Sequence, residues 1–271
     1  LLASHFGPRP ANDDVIKAAV VVELTHLATL YHDDVMDEAQ LRRGAPSANA
    51  RWDNSVAILT GDFLFARASD ILADLGPEAV RIQAQTFERL CTGQIREAVG
   101  PDDGIDPVKH HLQVLSDKTG SLIATAGRFG AMMAGAEAAT IDTLSRFGEA
   151  IGVAFQLADD IVDITSDAEQ SGKLPGTDLR EGVPTLATLI AQATDQSGDD
   201  ALVAFLSGPI PDDADHARAL RLLREHPALE DARDEARRWA GDARRILEPL
   251  PAGDAKLALE ALCDYVVNRT G

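Results

Sequence analysis

Hydrophobic residues recur along almost the whole chain with the spacing of amphipathic helices. The sustained alternation of apolar and polar residues that marks strands is scarce. Glycine and proline separate the helical stretches, for example at Gly76-Pro77 and Gly100-Pro101. We therefore predict an all-α fold, a single-domain helical bundle around a central cavity. The first helix should be capped by Asn12 or Asp13 and end before Arg42, and the others should span residues 53–74, 77–99, 107–119, 120–135, 138–166, 183–195, 200–207, 213–224, 227–247 and 254–268.

Composition narrows the class of protein. The 271 residues are 45% hydrophobic and carry a formal net charge of -19. A chain of this length can bury a large core, and its charge makes nucleic acids and anionic membrane surfaces unfavourable partners. Only Cys91 and Cys263 are present, without metal-ligand spacing, which favours a reducing cytoplasm over a disulfide framework or a zinc site. No apolar run approaches the ~18 residues that span a bilayer, so membrane association should be peripheral at most.

One acidic pattern occurs twice, each time in an apolar stretch predicted to be helical. Its copies are Asp33-Asp34-Val35-Met36-Asp37 and Asp159-Asp160-Ile161-Val162-Asp163. Positions i and i+4 share one face of a helix, so each copy projects a pair of carboxylates in one direction. Carboxylates crowded beside apolar residues repel one another unless cations neutralise them. Mg²⁺ binds a few carboxylates together with substrate phosphates, so the two copies predict one shared metal site and a phosphate-bearing substrate.

Basic and polar residues accompany each copy. Arg42 and Arg43 follow the first copy, and their guanidinium groups can bind diphosphate oxygens bidentately. Gln156 lies one turn before the second copy, and Lys173 follows it in a glycine-containing loop. Lys118-Thr119 lies between the copies. Each feature alone is compatible with a solvated helix face, a helix end or an ordinary loop, but together they predict a cavity that binds a diphosphate.

In this order the motifs resemble those of the trans-isoprenyl diphosphate synthases, the polyprenyl synthetase family. That family carries DDxxD followed by RRG and a later FQxxDDxxD, which correspond here to residues 33–37, 42–44 and 155–163. Gly61-Asp62, Lys118-Thr119, Gly172-Lys173 and Gly176-x-Asp178-Leu179 also match. The resemblance implies an isoprenoid synthase-type bundle forming one domain over residues 1–271. It also implies a transferase that condenses isopentenyl diphosphate with an allylic diphosphate, head to tail and trans, by Mg²⁺-assisted ionisation, condensation and elimination.

The same resemblance implies a role for each candidate residue. Mg²⁺ would be held by Asp33, Asp37 and Asp159, with Asp34, Asp160 and Asp163 completing the two motifs. Arg42, Lys118 and Lys173 would bind the allylic diphosphate, and Arg43 would contact isopentenyl diphosphate. The candidate catalytic residues at the reacting centre are Lys118, Thr119 and Gln156. The family likeness also implies a homodimer.

Two departures from the family pattern stand out. The family carries a Gly-Lys-x-Arg-x-Arg-Pro segment that supplies cations for isopentenyl diphosphate. This segment would precede Leu1, so we expect that an N-terminal segment is missing from the sequence. Val183 follows Gly182 where the family often has lysine, which removes one auxiliary cation.

Two other functions remain open at this point. A class I terpene cyclase shares the first aspartate motif, but its second motif usually follows an Asn/Asp-x-x-Ser/Thr-x-x-x-Glu pattern. A non-catalytic regulatory subunit of a heteromeric synthase typically lacks one aspartate cluster, whereas this chain has both.

The length of the product can be argued from the helix that precedes the first cluster. A growing prenyl tail must leave the metal site alongside this helix, where Val22, Thr25, Ala28 and Thr29 lie on roughly one face. None is aromatic, whereas short-chain family members close this channel with bulky residues near the positions of Ala28 or Thr29. We therefore predict a long-chain product, past the farnesyl stage and beyond geranylgeranyl diphosphate.

Overall fold

The computed structural model describes residues 1–42, 44–166, 175–194 and 201–269. Two compact units are distinguished within the chain. Unit 1 comprises Leu1–Glu88 and Ala124–Ser145, and unit 2 comprises Arg89–Ile123 and Arg146–Gly271. The single-domain organisation stays a prediction from the sequence.

The described residues are mostly helical and include very little strand, which confirms the predicted all-α class. Their α-helices are α1 Asp13–Met36, α2 Ala48–Trp52, α3 Asn54–Leu75, α4 Pro77–Val99, α5 Pro107–Leu115, α6 Ser121–Met133, α7 Ala138–Thr165, α8 Thr177–Glu181, α9 Leu186–Thr194, α10 Ala201–Phe205, α11 Asp213–Glu225, α12 Ala228–Ile246 and α13 Asp254–Asn268. A 3₁₀ turn covers Leu2–Phe6, and a π-helical turn, Ser116–Gly120, lies between α5 and α6. The two strands are β1 Leu41–Arg42 and β2 Ala45–Pro46, paired antiparallel around Gly44.

The long helices begin and end close to the predicted residues. Asn12 is the N-cap of α1, since its side chain accepts a hydrogen bond from the Val15 amide at 3.1 Å. The predicted helix 183–195 begins later, at Leu186, because Pro184 precedes it and Thr185 accepts from the Thr188 amide. Its last residue, 195, and the first of the helix predicted at 200–207 lie outside the described residues.

Sequence reasoning missed the short elements: the hairpin, the 3₁₀ turn, α2 and α8. It also extended the helix predicted at 107–119 across the π-helical turn. Elements of two to five residues carry too few positions to show a hydrophobic period, so no pattern identified them.

Unit 1 is built on the packing of α1 against α3. Val21, Leu72, Ile82 and Phe129 form the buried cluster at its centre. Among the described residues, α1 is the one helix with the length and hydropathy of a membrane span. The expectation that no apolar run approaches that length is therefore too strict, although core helices of soluble proteins meet the same criterion.

Unit 2 has a larger core formed by α7 and the helices that follow it. Leu157, Leu202, Leu223 and Leu229 are almost completely buried in this cluster. The helix α7 packs its apolar side into this core. This packing fixes the direction of the polar residues of the second aspartate cluster, near the end of α7.

Candidate functional site

The first aspartate cluster ends α1 in unit 1. Asp33 is partly buried and Asp37 is exposed at the C-cap, where its amide donates to the Asp33 carbonyl at 2.8 Å. The helical turn therefore continues through Asp37, and the two side chains lie one turn apart on one side, as the spacing predicts.

Asp34, the middle member of this cluster, binds Arg42. Asp34 is buried, and Arg42 donates to its Oδ1 atom from Nε at 2.7 Å and also from Nη2. The β1–β2 hairpin carries Arg42 back to the end of α1. Arg43 lies outside the described residues.

His32 explains the glycine at position 61. The His32 Nε2 atom lies 3.1 Å from the Ile58 carbonyl and 3.5 Å from an Asp62 carboxylate oxygen. A Cβ atom at Gly61 would lie 2.3 Å from His32 Nε2, so glycine leaves the room that the imidazole occupies. This contact fixes the ring beside Asp33.

The residues of the predicted tail channel lie along α1. Thr25 and Ala28 are completely buried, and Val22 and Thr29 are partly buried. Thr25 Oγ1 accepts a hydrogen bond from Gln83 Nε2 of α4 at 2.7 Å. Small side chains therefore occupy the predicted wall, with one polar pair about 12 Å, or two turns, from Asp33.

The second aspartate cluster lies in α7, in unit 2. Asp159 is exposed, Asp160 is buried and Asp163 is partly buried. Asp163 accepts from the amides of Thr177 and Asp178 at 3.1 and 3.2 Å, so this carboxylate anchors the start of α8. Lys173, predicted to bind diphosphate, lies outside the described residues.

Burial dominates the electrostatics of Asp160. It raises the pKa of this carboxyl to about 8, with a contribution from the nearby carboxylates of Asp178, Asp159 and Asp163, although a hydrogen bond from Gln156 opposes the shift. Burial likewise raises the pKa of Asp178 to about 7. Without added cations, this region therefore favours protonated carboxyls.

His111 faces Asp160 across 3.8 Å and was not singled out in the sequence. Burial lowers the pKa of this imidazole to about 4, and its Nε2 atom has no hydrogen-bond partner among the residues that the structure describes. Because a buried histidine this far from position 160 in the chain has no sequence signature, only the fold could reveal the pair.

Three predicted catalytic residues belong to one connected group. Thr119 Oγ1 donates to Gln156 Oε1 at 3.2 Å, and Gln156 Nε2 donates to Asp160 Oδ1 at 3.1 Å. Lys118, beside Thr119 on the π-helical turn, pairs with Glu97 at 2.5 Å. The fold thus brings Thr119 and Gln156 together with the second aspartate cluster, as the motifs predict.

Arg269 is a further residue that sequence reasoning missed. Its Nη2 atom lies 2.7 Å from Asp159 Oδ1, and its guanidinium group stacks over the Phe155 ring at 4.3 Å. Asp159 therefore has a cationic partner in this structure. A lone arginine 110 positions away offers no sequence signal.

The carboxylates suit a hard divalent cation, but they do not form a ready-made cage. Within the described ranges, no three histidine, cysteine or acidic side chains lie close enough together to hold a metal ion. The exposed carboxylate of Asp159 and the one-turn pair Asp33 and Asp37 are oxygen donors of the kind that Mg²⁺ prefers. Each cluster by itself offers few ligands, which fits a metal that is also bound by substrate phosphates.

Comparison with known proteins identifies the family. The profile of the family described as Polyprenyl synthetase matches residues 1–223. The chain belongs to the polyprenyl synthetase family. This confirms the resemblance drawn from the motifs.

Related proteins match this chain over most of their own length and support the assignment. Nonaprenyl diphosphate synthase of Mycobacterium tuberculosis is 53% identical, with all of this chain and 81% of that protein covered. Geranylgeranyl pyrophosphate synthase of Corynebacterium glutamicum, solved with calcium and isoprenyl diphosphate, is 50% identical with a TM-score of 0.87, and 100% of this chain and 82% of that one are covered. Decaprenyl diphosphate synthase of Rhodobacter capsulatus is 32% identical with a TM-score of 0.89, over 100% and 83% of the chains. These relatives are prenyl diphosphate synthases, so the predicted all-α fold and the transferase class of this polyprenyl synthetase are confirmed.

Replacing Asp160 by Asn should weaken the pH dependence of stability in the metal-free synthetase between about pH 6.5 and 8. Asp160 keeps its proton up to about pH 8 when folded, but loses it near 3.8 when unfolded. The folded state therefore binds more protons, and wild-type stability falls as the pH rises, by up to ~1.4 kcal/mol per pH unit. His111 stays neutral in this window.

Thermal unfolding in EDTA at several pH values measures this difference. The melting temperature of wild type should fall relative to Asp160→Asn with increasing pH. Asp103→Asn, at an exposed position, is the control and should parallel wild type. Parallel curves for Asp160→Asn and wild type would contradict the protonated state of Asp160.

Proposed function

We propose that this polyprenyl synthetase condenses isopentenyl diphosphate with an allylic diphosphate, head to tail and trans, to make a long-chain polyprenyl diphosphate. The observation that carries the proposal is the hydrogen-bonded series Thr119, Gln156 and Asp160, with Lys118 beside it. This series links the residues expected at the reacting centre to the second aspartate cluster.

Mg²⁺ is the proposed metal; Asp33 and Asp37 of the first cluster and Asp159 of the second are each proposed to bind it. When bound, it neutralises diphosphate oxygens and stabilises the diphosphate as a leaving group. Asp34 and Asp163 support this role indirectly, because they hold Arg42 and the start of α8 in place. Buried Asp160 accepts from Gln156 and so orients that amide.

The chain's own residues bind and orient the substrates. Arg42 and Lys118 supply cationic groups for the allylic diphosphate, and Arg43 and Lys173 are proposed to add two more. The carbon–oxygen bond of the allylic diphosphate breaks, its carbon bonds to isopentenyl diphosphate, and the proton lost from the new product passes to the released diphosphate. Thr119 and Gln156 offer hydroxyl and amide dipoles beside this reaction, where charge develops.

The two rival functions receive less support. The plain second DDxxD motif differs from the second motif usual in class I terpene cyclases. Both aspartate clusters are present, in contrast to a typical regulatory subunit, and the relatives described above are named as synthases. Turnover by the isolated protein distinguishes the synthase from the subunit.

A homodimer is the proposed assembly, and α3 offers a surface for it. Val56, Leu59 and Phe63 are exposed apolar residues spaced along one face of this helix. Such a stripe is costly in water and is suited to packing against a second copy. A cytoplasmic location stays a prediction from the sequence.

Asp33→Ala and Asp159→Ala should each lower kcat by about 100-fold or more. Each removes a proposed ligand of the Mg²⁺ that would stabilise the charge on the leaving diphosphate. Product formation from farnesyl and isopentenyl diphosphates with Mg²⁺ measures the effect, and circular dichroism checks folding. Asp103→Ala, at an exposed position, is the matched control. A variant that retains wild-type turnover would remove its cluster from the mechanism.

Ala28→Phe should shorten the products, because a phenyl ring would fill the channel about 7.5 Å, or five helical residues, from Asp33. Chromatographic sizing of the products measures the change. Since Ala28 is completely buried, Thr29→Phe at a partly buried position is the second variant. Ala217→Phe, at an exposed position of α11, should leave product length unchanged. Unaltered products in both channel variants would refute the channel.

The double substitution Leu59→Glu and Phe63→Glu should convert the proposed dimer into monomers, because paired copies would desolvate the new carboxylates. Sedimentation velocity measures the mass. Arg221→Glu, at an exposed position of α11, changes the charge by the same amount and is the control. A wild-type protein that sediments as a monomer would rule out this assembly.

A further inference from the structure

The π-helical turn Ser116–Gly120 interrupts the path from α5 to α6 and carries both Lys118 and Thr119. π-Helical turns are rare, are less well packed than α-helix, and recur at functional sites. This one must therefore be stabilised by its surroundings if its side chains are to keep one position.

The carboxylate of Asp117 provides that stabilisation. It is almost completely buried and accepts hydrogen bonds from Arg89 Nε at 2.9 Å and Arg96 Nη1 at 2.5 Å. Gln113 Nε2 of α5 donates a third, at 3.0 Å. Two arginines of α4 and an amide of α5 thus hold one carboxylate on the turn, and charge-assisted bonds of this kind are among the strongest in proteins.

A second set of contacts fixes the same turn on its other side. Arg89 Nη2 donates to Glu149 of α7 at 2.6 Å, and Ser116 Oγ donates to the same carboxylate oxygen at 2.6 Å. Although burial opposes it, hydrogen bonds to Glu149 and Asp117 raise the pKa of Arg89. Arg89 therefore stays charged and joins α4, the turn and α7.

Glycines bring the backbones into direct contact around the turn. A Cβ atom at Gly93 of α4 would lie 2.8 Å from the Lys118 amide nitrogen, and one at Gly152 of α7 would lie 2.8 Å from the Cα atom of Gly120. The turn is thus confined between two helices, and Lys118 cannot shift without a shift of its backbone neighbours.

The two side chains that project from the turn depend on this placement. Thr119 Oγ1 lies 3.2 Å from Gln156 Oε1, near the limit for a hydrogen bond, so a displacement of about 1 Å would break that bond. Lys118 Nζ lies 2.5 Å from Glu97, and the same displacement would stretch this ion pair.

We infer that Asp117 is a positioning residue that determines where Lys118 and Thr119 stand. It does not touch substrate; it acts through Lys118 on the diphosphate. This inference rests on the proposed function, in which Lys118 binds the allylic diphosphate. None of the motifs that define the family likeness includes position 117.

Asp117→Asn keeps the size of the side chain but removes the charge that holds both arginines. We expect kcat/KM for the allylic diphosphate to fall about 10- to 100-fold with a raised KM for that substrate, and the KM for isopentenyl diphosphate to stay unchanged. Loss of folded protein alone would lower the rate without changing either KM. Arg237→Gln, which breaks exposed ion pairs on α12, is the control and should match wild type.

Binding supplies a readout that does not depend on turnover. In calorimetric titrations with inorganic pyrophosphate and Mg²⁺, Asp117→Asn should weaken binding about tenfold in the wild-type background but cause little further loss in a Lys118→Met background. Arg96→Gln leaves Asp117 in place and removes one of its hydrogen-bond donors, so it should also weaken pyrophosphate binding. It replaces Asp117→Asn in the test if that variant does not fold.

The outcomes separate the two claims. Unchanged binding in both Asp117→Asn and Arg96→Gln, or equal losses in the two backgrounds, would overturn the positioning role. A wild-type protein that binds pyrophosphate with Mg²⁺ but forms no product would contradict the proposed function, while the binding data would still decide the role of Asp117. A wild-type protein that binds no pyrophosphate would overturn both.

Discussion

Crowded carboxylates beside apolar helix faces are the constraint on which the candidate site depends. Each buried carboxylate needs a partner, because an unpaired charge in the interior is costly. Asp34 binds the guanidinium of Arg42, and Asp163 accepts two backbone amides at the start of α8. Burial raises the pKa of Asp160 to about 8, so this carboxyl favours its protonated, uncharged form. Asp159 pairs with Arg269 but is exposed to solvent, so a metal ion could reach this carboxylate and compete with the guanidinium group.

This division gives members of one motif different tasks. The DDxxD pattern does not distinguish its aspartates, yet in α7 one is exposed, one is buried and one anchors the start of α8. The difference follows from the direction of each side chain, because α7 buries its apolar face in the core of unit 2. A motif therefore identifies a candidate site, and the packing of its helix determines the role of each residue in that site.

Charge pairing also stabilises a strained local geometry. The π-helical turn is confined by glycines of α4 and α7 and is held by the ion pairs of Asp117. The sequence does not distinguish the ion pairs of Asp117 from exposed ion pairs such as those of Arg237. The structure does, because the carboxylate of Asp117 is buried. Exposed pairs contribute little to stability, whereas a buried carboxylate with three donors determines a conformation.

The sequence by itself determined the helical class, the bounds of the long helices and the residues of both aspartate clusters. A period of 3.6 residues and the spacing of motifs are local properties, so they can be recognised without coordinates. Only the tertiary structure decided that Asp34 binds Arg42, that His111 faces Asp160, and that Arg269 pairs with Asp159. It alone brought Arg89, Arg96 and Gln113 to Asp117. Apart from the local pair Gln113–Asp117, these contacts join residues from 8 to 110 positions apart, and their partners are selected by how the chain packs in three dimensions, which no local pattern encodes.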